Sequence, residues 1–206
     1  MSKNTRNRIL LTALAALLLV TLTIGGTMAW LVAEYSTVTN TFTKTDVNVG
    51  LEETVNNNFD IVPGGDDTKD PKAWIVDGSE PAYLFVEIVE NNNTYTIEGT
   101  ETQSKYITYG IASGWTKLDS ACTANTTVIW REVTTEEIGV KYDILAGNEV
   151  EYDTEITKAT MPTDNAKPTI AFQAYACQSA NVDDAATAWS YIQNGGKTPV
   201  VENPAE

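Results

Sequence analysis

The most informative absence in this sequence of 206 residues is histidine, which occurs at no position. Without imidazole the chain cannot build a Ser-His-Asp or Cys-His relay, or an H-E-x-x-H zinc site. Cysteine is scarce too, because only Cys122 and Cys177 occur and their spacing is not that of a C-x-x-C site. No glycine-rich phosphate loop is present either. We therefore predict no catalytic residues, no metal ligands and no cofactor, and we expect that the protein is not an enzyme.

Positively charged residues are also scarce. Lysine and arginine total 13 against 28 aspartates and glutamates, which gives a net charge of −15. Three of the 13 cations, Lys3, Arg6 and Arg8, precede the first acidic residue, Glu34. Beyond them 10 cations face all 28 acids, so the remaining chain carries a charge of −18. Such a surface repels phosphate groups, and we expect no nucleic-acid partner.

The amino terminus has the layout of a secretory signal. Its basic start is followed by an uncharged and mostly apolar run over residues 9–33, which contains a pair of glycines and a Thr-Met-Ala tripeptide. We predict that residues 1–29 are a signal peptide, which a signal peptidase removes between Ala29 and Trp30. The alternative is an uncut anchor, since the run is long enough to span a bilayer as a helix. The chain would then contact the membrane only through its uncleaved leader.

The rest of the sequence is rich in threonine, valine, isoleucine and tyrosine, which favour β-strands. Val47, Val49 and Leu51 alternate with polar residues or glycine, as in a strand with one buried face. Apolar residues occupy both alternating faces of residues 82–89, that is, both phases of the strand, which is typical of a central strand. We predict strands at 47–51, 72–77, 82–89, 106–111, 126–133, 140–144 and 167–177, a turn at 62–67, and a long loop or weak hairpin at 90–105. The fold class is all-β.

One segment has the periodicity of a short helix. Ala185, Trp189 and Ile192 fall on one helical face, Asn181 or Asp183 can cap its start, and a pair of glycines ends the pattern. Two interpretations remain open. Either Trp189 plugs one end of a β-sandwich, or the helix docks on a partner.

These patterns divide the chain into four parts. The signal peptide of residues 1–29 precedes an amino-terminal segment of residues 30–45. A β-sandwich domain follows over residues 46–196. The last part, residues 197–206, carries two prolines and no periodicity, and we expect it to be a disordered tail.

The order of several short motifs resembles that of the TasA and camelysin family, whose members are exported through a dedicated, SipW-type signal peptidase. The motifs are GGTMAW at 25–30, VTNTF at 38–42, VPG at 62–64, KDP at 69–71, GSEPAY at 78–83, AYACQ at 174–178 and AW at 188–189. They cover both ends and part of the middle of the chain, whereas residues 90–155 match no part of the family pattern.

The resemblance implies a jelly-roll β-sandwich that is located in a biofilm matrix or at the cell surface. Some members form fibres in which the amino-terminal strand of one subunit completes the sheet of the next, through main-chain hydrogen bonds. The expected partners are then further copies of the chain or other matrix subunits. The candidate donor strand here consists of Val38, Thr39, Asn40, Thr41 and Phe42. Camelysin has been classed as a metallopeptidase, but the absence of histidine counts against that activity in this chain.

Two further sites are candidates, each with a plain alternative. Cys122 and Cys177 form a disulfide in an oxidising exterior or remain two separate thiols, and only their geometry decides. The acidic run at residues 66–70 binds a calcium ion or is a solvated turn, since it lacks the spacing of an EF-hand.

The tryptophans suggest a rival function, because aromatic faces stack on sugar rings. They are Trp30, Trp74, Trp115, Trp130 and Trp189. If they form a platform, the protein is a monomeric surface adhesin or glycan-binding module rather than an assembling subunit. Packing within the core is the simpler explanation, and an exposed Trp115 or Trp130 beside Tyr109 or Tyr142 would favour the platform.

Export predicts a specific mature terminus. Amino-terminal sequencing of protein recovered from the culture medium is expected to begin at Trp30, because the Thr-Met-Ala tripeptide places small residues where a signal peptidase cuts. Recovery of the whole protein in membranes with Met1 retained would contradict cleavage.

Overall fold

The computed structural model describes residues 47–54, 60–163, 165–195 and 200–201. The predicted signal peptide, the junction at Ala29 and Trp30, and the candidate donor strand at residues 38–42 lie outside the described residues. Within the described ranges, no helix combines the length and the apolar character that are needed to cross a bilayer.

The described residues form an all-β fold with one helix near the carboxyl end. The strands are β1 (Val49–Glu52), β2 (Asp66–Thr68), β3 (Lys72–Ile75), β4 (Ala82–Asn91), β5 (Thr94–Thr96), β6 (Gln103–Lys105), β7 (Ile107–Thr108), β8 (Thr116–Lys117), β9 (Thr126–Val133), β10 (Tyr142–Asp143), β11 (Glu149–Tyr152), β12 (Thr169–Gln178) and β13 (Val200–Val201). The helix, α1, spans Ala185–Asn194.

The largest sheet is organised around β4. Its order is β13-β12-β4-β9-β8, and β4 pairs antiparallel with β12 over all ten of its residues. On its other side β4 pairs with β9, so that Phe85 stands between Tyr175 and Trp130. Both faces of β4 are largely buried, as expected for a strand that is apolar in both phases. Residues 82–89 are thereby confirmed as a central strand.

Smaller sheets complete the fold. One has the order β1-β3-β10, a second has the order β2-β11-β7, and β5 pairs with β6 as a hairpin. Apolar side chains of the first two sheets pack against the inner side of the large sheet and share one core with it, whereas Tyr95 of the hairpin belongs to a separate cluster with Tyr106, Tyr152 and Ile156. That core consists of Leu51, Ala73, Ile75, Ala82, Leu84, Val86, Ile88, Ile129, Val133, Ile144, Leu145, Val150, Phe172 and Ala174. The molecule is thus a β-sandwich-like arrangement of packed sheets.

The outer face of the large sheet is covered by α1. Asp184 caps the helix, because its carboxylate accepts a hydrogen bond of 2.7 Å from the Thr187 amide. Trp189 is 6% exposed, and its ring centroid lies 5.2 Å from that of Phe85 and 5.5 Å from that of Tyr175. The helix therefore covers a sheet face. Neither the predicted plug at one end of the sandwich nor the predicted caps at Asn181 and Asp183 match this arrangement.

Several other predictions are corrected. The turn predicted at residues 62–67 ends in strand β2, because Asp66 and Asp67 pair with β11. The tail predicted to be disordered contains strand β13, which pairs with β12. Strands β8 and β11 were not predicted at all, since they are short and rich in charged or polar residues. The predicted strand at 126–133 matches β9.

The packing of α1 predicts which helix residues stabilise the domain. Replacing Trp189 with alanine should lower the free energy of unfolding by about 3–5 kcal/mol, because a large buried ring is lost from between two aromatic neighbours. Urea denaturation measures the change. Tyr191, which lies on the same helix and is 54% exposed, is the matched control, and Tyr191→Ala should change it by less than about 0.5 kcal/mol. Equal effects of the two substitutions would show that α1 is not packed on the sheet.

Candidate functional site

The feature most suited to recognition is the outer edge of β12. This strand has ten residues, but β13 pairs with it only at Gln173 and Ala174. Among the described residues, no strand pairs with the outer side of residues 169–172. Main-chain donors and acceptors at such an edge are able to pair with an additional strand. The edge belongs to the sheet that β4 holds together, so an added strand would extend the five-stranded sheet.

A second edge lies close to the first. β1 is an outer strand of its own sheet, and it lies next to β12 and β13. The Asn48 carbonyl accepts a hydrogen bond of 2.9 Å from the Val76 amide, which continues the pairing of β1 with β3. Because peptide groups alternate in direction along a strand, those of Val49 and Leu51 are directed away from β3. The first described strand therefore lies beside the edge of β12.

The chain just after β1 is fixed by a buried ion pair. The Lys69 ammonium lies 2.9 Å and 2.8 Å from the two carboxylate oxygens of Glu53, whose side chain is 1% exposed. The same ammonium lies 5.4 Å from the ring centroid of Phe172 on β12. Burial raises the pKa of Glu53, and Asp70 adds to the rise, while the hydrogen bond and charge of Lys69 oppose it. The pair links the end of β1 to the connection between β2 and β3, close to β12.

Residues of the predicted calcium loop have structural partners. Asp67 accepts a hydrogen bond of 2.7 Å from the Tyr152 hydroxyl, and Asp70 accepts hydrogen bonds from the amide and hydroxyl groups of Thr54. Within the described part of the chain, no group of three or more acidic or cysteine side chains is arranged to hold a metal ion. The acidic run joins β2 to neighbouring strands, and the solvated-turn interpretation is wrong for Asp66 and Asp67.

A second buried carboxylate organises the far end of β4. Glu90 accepts hydrogen bonds of 2.8 Å from the side chains of Lys105, Asn93 and Tyr109. Asn93 in turn donates to the carbonyl of Ile107 and accepts from its amide. Burial alone would raise the pKa of Glu90, but the three hydrogen bonds outweigh it and lower that pKa below its ordinary value. This network ties the hairpin and β7 to the large sheet.

A surface depression of about 350 Å³ lies beside this network. It is lined by Thr108, Tyr109, Gly110, Ala146, Glu149 and Glu151. The Tyr109 hydroxyl already donates to Glu90, and burial together with that bond raises its pKa. A hydroxyl that donates to a carboxylate and resists ionisation is a poor general base. Tyr109 is therefore not suited to act as a base in this depression, whose lining also carries the carboxylates of Glu149 and Glu151.

The two cysteines are free thiols. The Cys122 sulfur accepts a hydrogen bond of 3.3 Å from the amide of Val128, which is opposite Glu87 on β4. Cys177 lies on β12, on the other side of β4, and is opposite Tyr83. Tyr83 and Glu87 are four residues apart along β4. Four strand residues span about 13 Å, whereas a disulfide needs Cα atoms within about 7 Å. Of the two alternatives for this pair, the structure therefore has separate thiols, and the disulfide is excluded in this conformation.

Each tryptophan in the described part of the chain contacts another ring or a cation. The partners are Lys141 for Trp74, Arg131 and Tyr142 for Trp115, Tyr83 for Trp130, and Phe85 and Tyr175 for Trp189. Trp115 does stand beside Tyr142, with ring centroids 6.4 Å apart. Both are only half-buried, but the Arg131 guanidinium lies 3.3 Å above the Tyr142 ring and covers one of its faces. These internal contacts weaken the interpretation of the aromatic residues as a sugar platform.

Comparisons with protein-family models, with curated proteins and with solved structures found no match. The functional conclusion therefore depends on the residues and geometry of this chain.

Sequence reasoning missed the two buried glutamates, although their positions carry a signal. Glu53 continues the inward phase of Val49 and Leu51, and Glu90 continues the inward phase of β4. A carboxylate in the buried phase of a predicted strand indicates a buried partner, because an unpaired buried charge is costly. The partner itself, Lys69 or Lys105, could not be predicted without the strand order.

The ion pair of Glu53 and Lys69 gives a testable prediction. Glu53→Gln should lower the free energy of unfolding by about 3 kcal/mol, because it leaves a buried ammonium without its counter-charge. The double variant Glu53→Gln/Lys69→Met should lose less than the single variant, since both charges are gone. Urea denaturation of all three proteins measures the difference.

The exposed pair of Lys141 and Glu52, at 2.6 Å, provides the matched control. Lys141→Gln should cost less than about 1 kcal/mol, because solvent screens an exposed pair. A loss of the same size for Glu53→Gln would mean that the buried pair does not fix the end of β1.

Proposed function

We propose that this protein is an exported, non-enzymatic structural subunit of the cell surface or the biofilm matrix, built as a jelly-roll-type β-sandwich. In this proposal subunits associate by strand addition: the amino-terminal segment of one copy, centred on Val38–Phe42, pairs with the β12 edge of another. The observation that carries the proposal is the ten-residue edge of β12, of which β13 pairs with only Gln173 and Ala174.

The position of that edge supports the proposal. β1, which follows the amino-terminal segment in the sequence, lies next to β12 and β13. The segment itself is rich in threonine, with Val38 and Phe42 at its ends, and such residues favour an extended strand. Main-chain hydrogen bonds supply the affinity in this mode of recognition, and side chains set the register.

The charge of the chain is consistent with a subunit that remains soluble until it assembles. A net charge of −18 beyond the leader makes copies repel one another at long range, and salt screens that repulsion within about 10 Å at 0.1 M. The resemblance to the TasA and camelysin family adds support for the location outside the cell. The absence of histidine and the internal contacts of the tryptophans count against a peptidase and against a glycan-binding module respectively.

Filament formation by the mature protein tests the proposal. Purified protein that begins at Trp30 should form filaments above a threshold concentration, seen by electron microscopy and followed by light scattering. Thr39→Pro/Thr41→Pro should abolish them, because proline removes the amide donors of the added strand.

The matched control is Thr39→Val/Thr41→Val, which keeps those donors and the strand propensity and should assemble as well as the parent. A parent protein that stays monomeric at every concentration, or a proline variant that assembles normally, would contradict strand addition by this segment.

A further inference from the structure

We infer that the carboxyl-terminal strand β13 is a built-in competitor for the β12 edge, which must leave before another copy can add its strand. The inference rests on the proposed function and adds a regulatory role for residues 200–201. Its basis is the pairing of Val201 with Gln173 and of Val200 with Ala174, near the middle of the edge that an added strand would occupy.

Because of its register, β13 cannot remain paired with β12 while an added strand pairs along the same edge. An added strand that pairs along β12 needs the same main-chain groups of Gln173 and Ala174 that β13 uses, and each group forms one ladder hydrogen bond. A donor strand of five residues could avoid β13 only at residues 169–172 or 175–178, and each stretch has four positions. Full pairing of residues 38–42 therefore displaces the tail.

The sequence around β13 keeps this competitor weak. Pro199 precedes it and Pro204 follows it, and proline has no amide donor. Because these two positions differ in parity, one of them would face β12 in a regular strand and leave a ladder hydrogen bond unmade. β13 itself has two residues, against the ten residues of β12. Short strands and prolines are features by which proteins protect sheet edges from premature pairing. A weak occupant of this kind delays association without preventing it.

The helix α1 keeps β13 close to the edge of β12. α1 ends at Asn194, six residues before β13, and it is anchored on the large sheet through Trp189. A tether of this length holds the tail near the edge at a high effective concentration, so it rebinds quickly whenever no other strand is present. Binding of the tail is thus intramolecular and independent of protein concentration, whereas the strand of another copy competes more strongly as that concentration rises.

Two readouts test the inference on the mature chain that begins at Trp30. Val200→Pro/Val201→Pro removes the amide donors of β13, and Val200→Thr/Val201→Thr is the matched control that keeps them. Hydrogen exchange at Gln173 and Ala174 reports whether the edge is covered. The lag time of filament formation reports whether the cover restrains assembly.

We expect the proline variant to exchange faster at one of those two amides and to shorten the lag about tenfold, while the threonine variant behaves like the parent. If the parent assembles and the proline variant shows the same lag, or a longer one, the tail is no competitor and the inference fails while strand addition stands. If neither protein assembles although exchange shows the edge uncovered, the proposed function fails as well. If the proline variant assembles and the parent does not, the result would support both the competitor role of β13 and the proposed function.

Discussion

The structure depends on the pairing of one strand, β4, which is bonded along its length on both sides and buried on both faces. Its partners β12 and β9 could not be held without it, since among the described strands β12 otherwise pairs only with the two-residue β13. The inner face of β4 contributes Leu84, Val86 and Ile88 to the core, and its outer face receives α1 through Phe85. Both faces and both edges of this strand are satisfied. The open hydrogen-bonding groups of the large sheet therefore lie on β12 and β9, whose outer partners β13 and β8 have two residues each.

Charge placement follows from the same arrangement. The two buried glutamates, Glu53 and Glu90, occupy the inward phase of their strands, where each is paired with a lysine. One ion pair joins the chain just after β1 to the connection between β2 and β3, and the other joins β4 to the β5-β6 hairpin. Most of the other acidic residues remain on the surface, and they give the chain the charge that keeps separate copies apart.

The sequence alone was sufficient to predict the strands and the helix that are recognisable within one continuous stretch of residues. β4, β9 and β12 were predicted as strands over segments of eight to eleven residues, and α1 from a periodicity of about 3.6. The short strands β2 and β11 were not predicted. Asp66 pairs with Glu151 and Glu149 pairs with Thr68 because of the strand order, and not because these residues favour strands. The separation of Cys122 from Cys177 and the pairing of the tail with β12 also depend on long-range register, which no local pattern reveals.

The central claim is that the amino-terminal segment of one copy pairs with the β12 edge of the next. Solid-state NMR on filaments assembled from an equal mixture of ¹⁵N-labelled and ¹³C-labelled protein tests it most directly, because only contacts between copies then join the two labels. The account predicts cross-peaks between residues 38–42 of one copy and residues 169–178 of another. Filaments whose contacts between copies lie elsewhere, with residues 38–42 paired only within their own subunit, would contradict it.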